Sequence, residues 1–186
     1  MLITDLKLDG PKYIQGIPFY DARGLFCTMY DKEDFEKAGL PTNWVLDNIS
    51  YNKSKGTIRG LHFQIGEFAQ AKLIKVVSGA IWDIIVDIRK GSPTYGEHEE
   101  VILEDWNYTW LYVPRGFAHG FITVCDNTTV EYKVDNIYSP EHESGFRFDD
   151  LDLDIDIGIE DFLKLNNMDN PIMSEKDKNW GAFKDF

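Results

Sequence analysis

Basic residues are scarce in this chain. Its 186 residues carry 19 lysines and arginines against 32 aspartates and glutamates, a formal net charge of −13. A nucleic-acid-binding surface needs a basic footprint, so no nucleic-acid partner is expected. A small anionic ligand is compatible with the same charge, because a pocket can be locally basic. Cysteine is nearly absent: Cys27 and Cys125 lie far apart and form neither a disulfide framework nor a CxxC site. No apolar run approaches the roughly 18 residues of a membrane span, so no membrane partner is expected. The opening Met1–Leu6 meets an acid at Asp5 and has no apolar h-region, so no signal peptide is expected and a cytoplasmic location is the default. No GxSxG elbow, GxGxxG turn or Walker loop occurs, which removes support for acyl transfer by that device, Rossmann nicotinamide binding and P-loop chemistry.

Hydrophobic residues make up 43% of the chain and aromatic residues 14%, enough for a core in one domain spanning 1–186. The pattern is almost all β. Short strands are predicted at Tyr13–Phe19 and Gly24–Tyr30, around a turn at Asp21–Gly24, and at Trp44–Ser50. A short helix is predicted over 31–39, with Asp31 as N-cap and Gly39 as its stop. From 58 to 134, strands recur at intervals of roughly ten residues, as in a sandwich or barrel. Trp82, Ile84, Val86 and Ile88 alternate there with Asp83, Ile85 and Asp87. Residues 150–159 alternate acids with Leu151, Leu153, Ile155 and Ile157 and read as a strand with an acidic solvent face. The polar stretch 166–186 reads as loops over the surface.

Five polar side chains interrupt apolar runs and carry the candidate chemistry. Arg59 and His62 stand in Arg59-Gly60-Leu61-His62-Phe63-Gln64. Three residues apart, they would point to opposite faces of a flat strand; both reach one cavity only if the strand twists or bulges, with Gly60 as the candidate place. Lys72 shares a strand face with Ile74 and Val76, and an ammonium on an apolar face needs a partner. Tyr132 lies between Val130 and Val134 on another strand face. His119 closes Pro114-Arg115-Gly116-Phe117-Ala118-His119. The arginines number five, at 23, 59, 89, 115 and 147, and each is a candidate reader of phosphate.

The two histidines suggest a cupin-type barrel. Pro114, Gly116 and His119 match the late PxGxxH element by which many cupins bind metal. The early HxH element is broken, because Gln64 stands where the second histidine would be, and glutamine is a poor ligand for a divalent transition metal. No metal and no other cofactor is expected.

Read together, Arg23-Gly24, Asp47-Asn48, Arg59–Gln64, Lys72-Leu73, Val86–Gly96, Val113–Phe121, Glu131–Lys133 and Tyr138–Pro140 resemble the dTDP-4-dehydrorhamnose 3,5-epimerases in order and spacing. The resemblance runs from about residue 20 to 150, with a weaker tail to 177. It implies an all-β, cupin-like jelly-roll barrel with short peripheral helices and no metal. It implies an isomerase that epimerises carbon 3 and/or carbon 5 of a nucleotide-diphosphate-linked 4-keto-6-deoxy sugar. By this resemblance His62 is the base, oriented by Asp177; Tyr132 is the acid on the opposite ring face; Lys72 stabilises the enolate. Arg59 and Arg23 hold the diphosphate, Arg23 reaching in from a neighbouring subunit; Tyr138 stacks on the base; Asn48 and His119 line the pocket. The resemblance also implies a homodimer with exchanged N-terminal strands.

Three positions depart from the family pattern. Cys27-Thr28-Met29 replaces a segment that usually carries glutamate, Leu46 stands where glutamine is usual, and Ala71 replaces a glycine before Lys72. Residues 49–53 are one residue longer than usual. Because two departures fall where nucleotide or sugar would be held, a GDP- or CDP-linked sugar, a heptose, or epimerisation at carbon 3 alone are the alternatives. A 3,4-ketoisomerase and a non-catalytic sugar-binding cupin are the readings of another class.

Overall fold

The computed structural model describes every residue except Asp154 and 156–158. Two antiparallel sheets face each other as a cupin-like jelly roll. The strands are β1 (Leu2–Asp5), β2 (Lys12–Gln15), β3 (Phe19–Asp21), β4 (Gly24–Phe26), β5 (Leu46–Asn52), β6 (Ile58–Gln64) and β7 (Lys72–Ser78). They continue with β8 (Ala80–Asp87), β9 (His98–Glu104), β10 (Thr109–Val113), β11 (Phe117–Thr123), β12 (Thr128–Val134) and β13 (Glu143–Gly145). One sheet runs β1-β2-β10-β7-β12-β5 and the other β13-β6-β11-β8-β9, while β3 and β4 form a separate hairpin.

Three apolar clusters explain why the central strands β8, β10 and β11 are buried on both faces. Between the sheets pack Ile74, Val76, Ile81, Ile85, Leu111, Phe121 and Val130. Outside the six-stranded sheet, Trp110, Leu73 and Ile14 are covered by Phe35 and Leu40. Phe35 comes from helix α1 (Lys32–Lys37), whose N-cap Asp31 accepts from the backbone N–H groups of Glu33 and Asp34. Gly39, at φ +70°, ends that segment as the sequence pattern requires. Outside the five-stranded sheet, Leu61, Phe63, Ile84, Val86 and Ile122 are covered by Phe146, Phe148 and Phe183.

The C-terminal region therefore differs from the sequence expectation. Residues 166–186 are not merely surface loops; they roof one sheet and include helix α3 (Glu175–Lys178), after helix α2 (Ile159–Leu165). Residues 151–153 form a 3-10 turn and not a strand. The cause is Asp150, which is buried and accepts from the N–H groups of Asp152 (2.9 Å) and Phe183 (2.7 Å). An aspartate that bonds backbone two residues on favours a turn over a ladder. The remainder of the expected strand lies partly outside the described residues. The period-two pattern of β8 holds, but both faces are buried apart from a partly exposed Trp82, and Asp83 and Asp87 are fully buried.

The N-terminal run also splits. Strand β2 stops at Gln15 and β3 begins at Phe19, because Pro18 lacks an N–H for the ladder. The β3–β4 hairpin stands out from the barrel with Phe19 at 75% and Phe26 at 73% exposure.

Candidate active site

Between the two sheets lies a cavity of about 400 Å³, lined from both sides. Strands β6 and β11 and β13 bring Arg59, His62, His119 and Glu143; strands β7, β12 and β5 bring Lys72, Tyr132, Ser50 and Tyr51.

Arg59 and His62 share this cavity because β6 is irregular. Opposite His119 and Phe121 in β11 stand His62 and Arg59, so two steps of one strand are matched by three of the other. That one-residue bulge turns both side chains inward while Leu61 and Phe63 face the outer core. Gly60 makes it possible. Its φ is +116°, and a Cβ there would sit 2.6 Å from Gly120 Cα and 2.7 Å from the His119 carbonyl oxygen. The expected distortion at Gly60 is thus present.

His62 Nε2 meets Asp177 Oδ1 at 2.5 Å. Asp177 is 4% exposed and sits in α3, whose N-cap Ser174 donates its hydroxyl to Asp177 Oδ2 at 2.8 Å. Burial pushes the Asp177 carboxyl up, but the hydrogen bonds from His62 and Ser174 outweigh it and leave the group below its ordinary value. A carboxylate on Nε2 orients the ring and, in a neutral imidazole, favours the tautomer with its proton on Nε2 and its lone pair on Nδ1. The Trp180 ring meets the imidazole edge-on with centroids 5.9 Å apart.

Lys72 begins β7, a position fixed by Asp135, which accepts from Ala71 N–H at 2.7 Å and is itself held by Arg115 at 3.0 Å. Its Nζ donates to the His62 carbonyl at 3.2 Å. Burial pulls the ammonium down to about 8, against the pull of Asp83 and Glu143. Beside it, His119 Nε2 meets Asp83 Oδ2 at 2.8 Å, while Asp83 Oδ1 has no partner among the described residues. Burial pushes His119 down and Asp83 up. Tyr132 lies across the cavity from His62, and burial pushes its phenol up, so it stays protonated at neutral pH.

The other expected site residues divide. Asn48 is the cross-strand partner of Tyr132 and faces the same way, though it is not in the cavity lining. Tyr138 is at the rim, donating its hydroxyl to Glu143. Arg23 is not at this cavity; it sits at the hairpin tip, exposed and paired with Asp21. Arg89, Arg115 and Arg147 are likewise spent on Asp87, Asp135 and Asp149, which leaves Arg59 as the arginine without a carboxylate partner among the described residues. Gln64 is also spent: its amide donates to the carbonyls of Phe68 and Ile137 and accepts from Ser139 N–H, fixing the segment that carries Tyr138.

Sequence reasoning missed Asp83, Glu143 and Ser174. Asp83 carried a signal, a carboxylate in an apolar strand at the same parity as Ile81 and Ile85. Ser174 carried one too, since Ser174-Glu175-Lys176-Asp177 fits the N-cap pattern of a short helix; Glu143, opening the three-residue strand β13, carried none.

The profile of the dTDP-4-dehydrorhamnose 3,5-epimerases matches residues 5–185. The chain belongs to that family. As a member it is an isomerase of the epimerase class. The family's enzyme from Methanothermobacter thermautotrophicus is 41% identical over 179 residues, 96% of this chain and 92% of that one. The family's enzyme from Bacillus anthracis, solved with TDP and PPi bound, superposes with a TM-score of 0.89 at 41% identity, covering 98% of this chain and 99% of that one. A 3'-monoepimerase from Streptomyces bikiniensis in complex with dTDP-quinovose gives a TM-score of 0.84 at 28% identity, covering 95% of this chain and 85% of that one.

Proposed function

We propose that this family member, with residues 1–186 acting as one unit in the cytoplasm, epimerises carbons 3 and 5 of dTDP-4-dehydro-6-deoxyglucose without a cofactor. The observation that carries the reading is the placement of His62 and Tyr132 on opposite sheets across one cavity that Lys72 also lines. Carbons 3 and 5 flank a ketone, so their protons are acidic enough for a positioned base. His62 Nδ1 takes the proton, and Asp177 stabilises the imidazolium. The electron pair moves to the ketone oxygen, where the Lys72 ammonium holds the enolate. Tyr132 returns a proton to the same carbon from the other ring face, which inverts the centre. Proton exchange with solvent restores both groups. Arg59 takes the diphosphate, and Tyr138 stacks on the base.

Turnover of a panel of dTDP-, GDP- and CDP-linked 4-keto sugars, hexoses and heptoses alike, tests the substrate. The dTDP-hexose is expected to be the best substrate by kcat/KM; a GDP- or CDP-linked sugar in first place would overturn that assignment.

The role of Lys72 fixes a pH dependence. Only the ammonium stabilises an enolate, and burial places its titration at about 8. As pH rises through that value the cation is lost, so kcat/KM is expected to fall on the alkaline side. Lys72→Met is expected to cost about 100-fold to 1000-fold and to abolish that limb. An alkaline limb that persists in Lys72→Met would assign it to another group.

The exposed hairpin supports a homodimer with exchanged N-terminal strands. Phe19, Tyr20 and Phe26 need cover, and Arg23 at the tip would enter the cavity of a second copy. Phe26→Asp is expected to give monomers in sedimentation velocity and to raise KM. A variant that stays dimeric with unchanged KM would count against this.

A further inference from the structure

Asn52 is 2% exposed at the last position of β5. A buried amide must place two donors and an acceptor. Its Nδ2 donates to the carbonyl oxygens of Ser50 and of its cross-strand partner Thr128, both at 3.3 Å. Its Oδ1 accepts from Arg59 Nε at 2.8 Å. One side of the amide is therefore anchored in the six-stranded sheet, and the other reaches the five-stranded sheet to hold a guanidinium.

The choice of an amide has a chemical consequence. The other four arginines are held by carboxylates, which offset their charge. Asn52 fixes Nε through a neutral oxygen, so no carboxylate offsets the positive charge of Arg59 among the described residues. Among the described residues, the two Nη groups of Arg59 make no hydrogen bond or ion pair, and Arg59 lines the cavity. An arginine side chain free in water loses rotamer freedom when it binds an anion, and a guanidinium already locked at Nε has lost much of it beforehand.

We propose that Asn52 is a positioning residue that locks Arg59 at Nε, so that both Nη groups stand ready for the diphosphate of the nucleotide sugar. The inference rests on the reading of Arg59 as the diphosphate ligand. It concerns ground-state affinity and not the proton transfers, so it predicts a change in KM with kcat nearly unchanged.

Titration calorimetry of the full chain with dTDP and with thymidine tests it. Arg59→Ala is expected to weaken dTDP and leave thymidine unaffected. Asn52→Ala is expected to weaken dTDP about tenfold, again sparing thymidine. Asn52→Thr, which suits a strand but is too short to reach Arg59, is expected to match it and guards against misfolding in the alanine variant. Introduced into Arg59→Ala, neither substitution is expected to add to the loss, since the interaction it removes is already gone. Unchanged dTDP affinity in both Asn52 variants, or an equal further loss in the Arg59→Ala background, would overturn the proposal. If Arg59→Ala itself left dTDP affinity intact, the reading of Arg59 would fail first and take the proposal with it.

Discussion

Replacing His62 with alanine is expected to lower kcat on dTDP-4-dehydro-6-deoxyglucose by about 1000-fold to 10,000-fold, with little change in KM. The reason lies in the geometry. His62 is held at Nε2 by a buried carboxylate that Ser174 fixes from behind, so Nδ1 is the nitrogen left to act as base in the proposed reaction. Among the described residues no second imidazole stands ready to replace it. His119, its cross-strand neighbour, is tied at Nε2 to Asp83 and pushed toward the neutral form by burial. The alanine variant leaves Asp177 buried beside Ser174, so its melting temperature must be compared with wild type. A loss of kcat below about tenfold, in a folded variant, would remove His62 from the role of base.

Tyr132→Phe is expected to cut epimerised product by about 100-fold to 1000-fold, while proton exchange continues. The ring keeps its packing, since Tyr132 lies opposite Ile74 in one neighbouring strand and Asn48 in the other. What is lost is a phenol that burial keeps protonated. With His62 intact, a proton can still leave and return on the same face, which exchanges hydrogen for solvent deuterium without inverting the carbon. Retention of configuration with label incorporated is thus the signature of a missing acid. An unimpaired rate of inversion would mean that another group, or water, delivers the proton.

Much of this was legible in the residues themselves. The β pattern of 58–134, the Asp31 cap and the distortion at Gly60 follow from local rules of alternation, capping and glycine conformation, and the structure has all three. The C-terminal roof was not legible, because Asp150 reads as one more acid in an alternating run until its two backbone partners are seen. The same limit hid the second layer of the site. Asp83, Asn52 and Ser174 act by holding other side chains: Asp83 holds His119 from another strand, Asn52 holds Arg59 across the two sheets, and Ser174 holds Asp177 within one helical turn. Arginine shows the point most clearly: composition left five candidates, the resemblance singled out Arg23 and Arg59, and the ion pairs separate Arg59 from the four spent on carboxylates.

The central claim is that His62 removes the protons that flank the ketone. Incubation with dTDP-4-dehydro-6-deoxyglucose in D2O, with the label located by NMR, tests it most directly. Deuterium is expected at carbons 3 and 5 with the wild-type protein and at neither with folded His62→Ala. Label at carbon 3 alone would keep the base and reduce the enzyme to a single centre. Label appearing in His62→Ala at the wild-type rate would contradict the account.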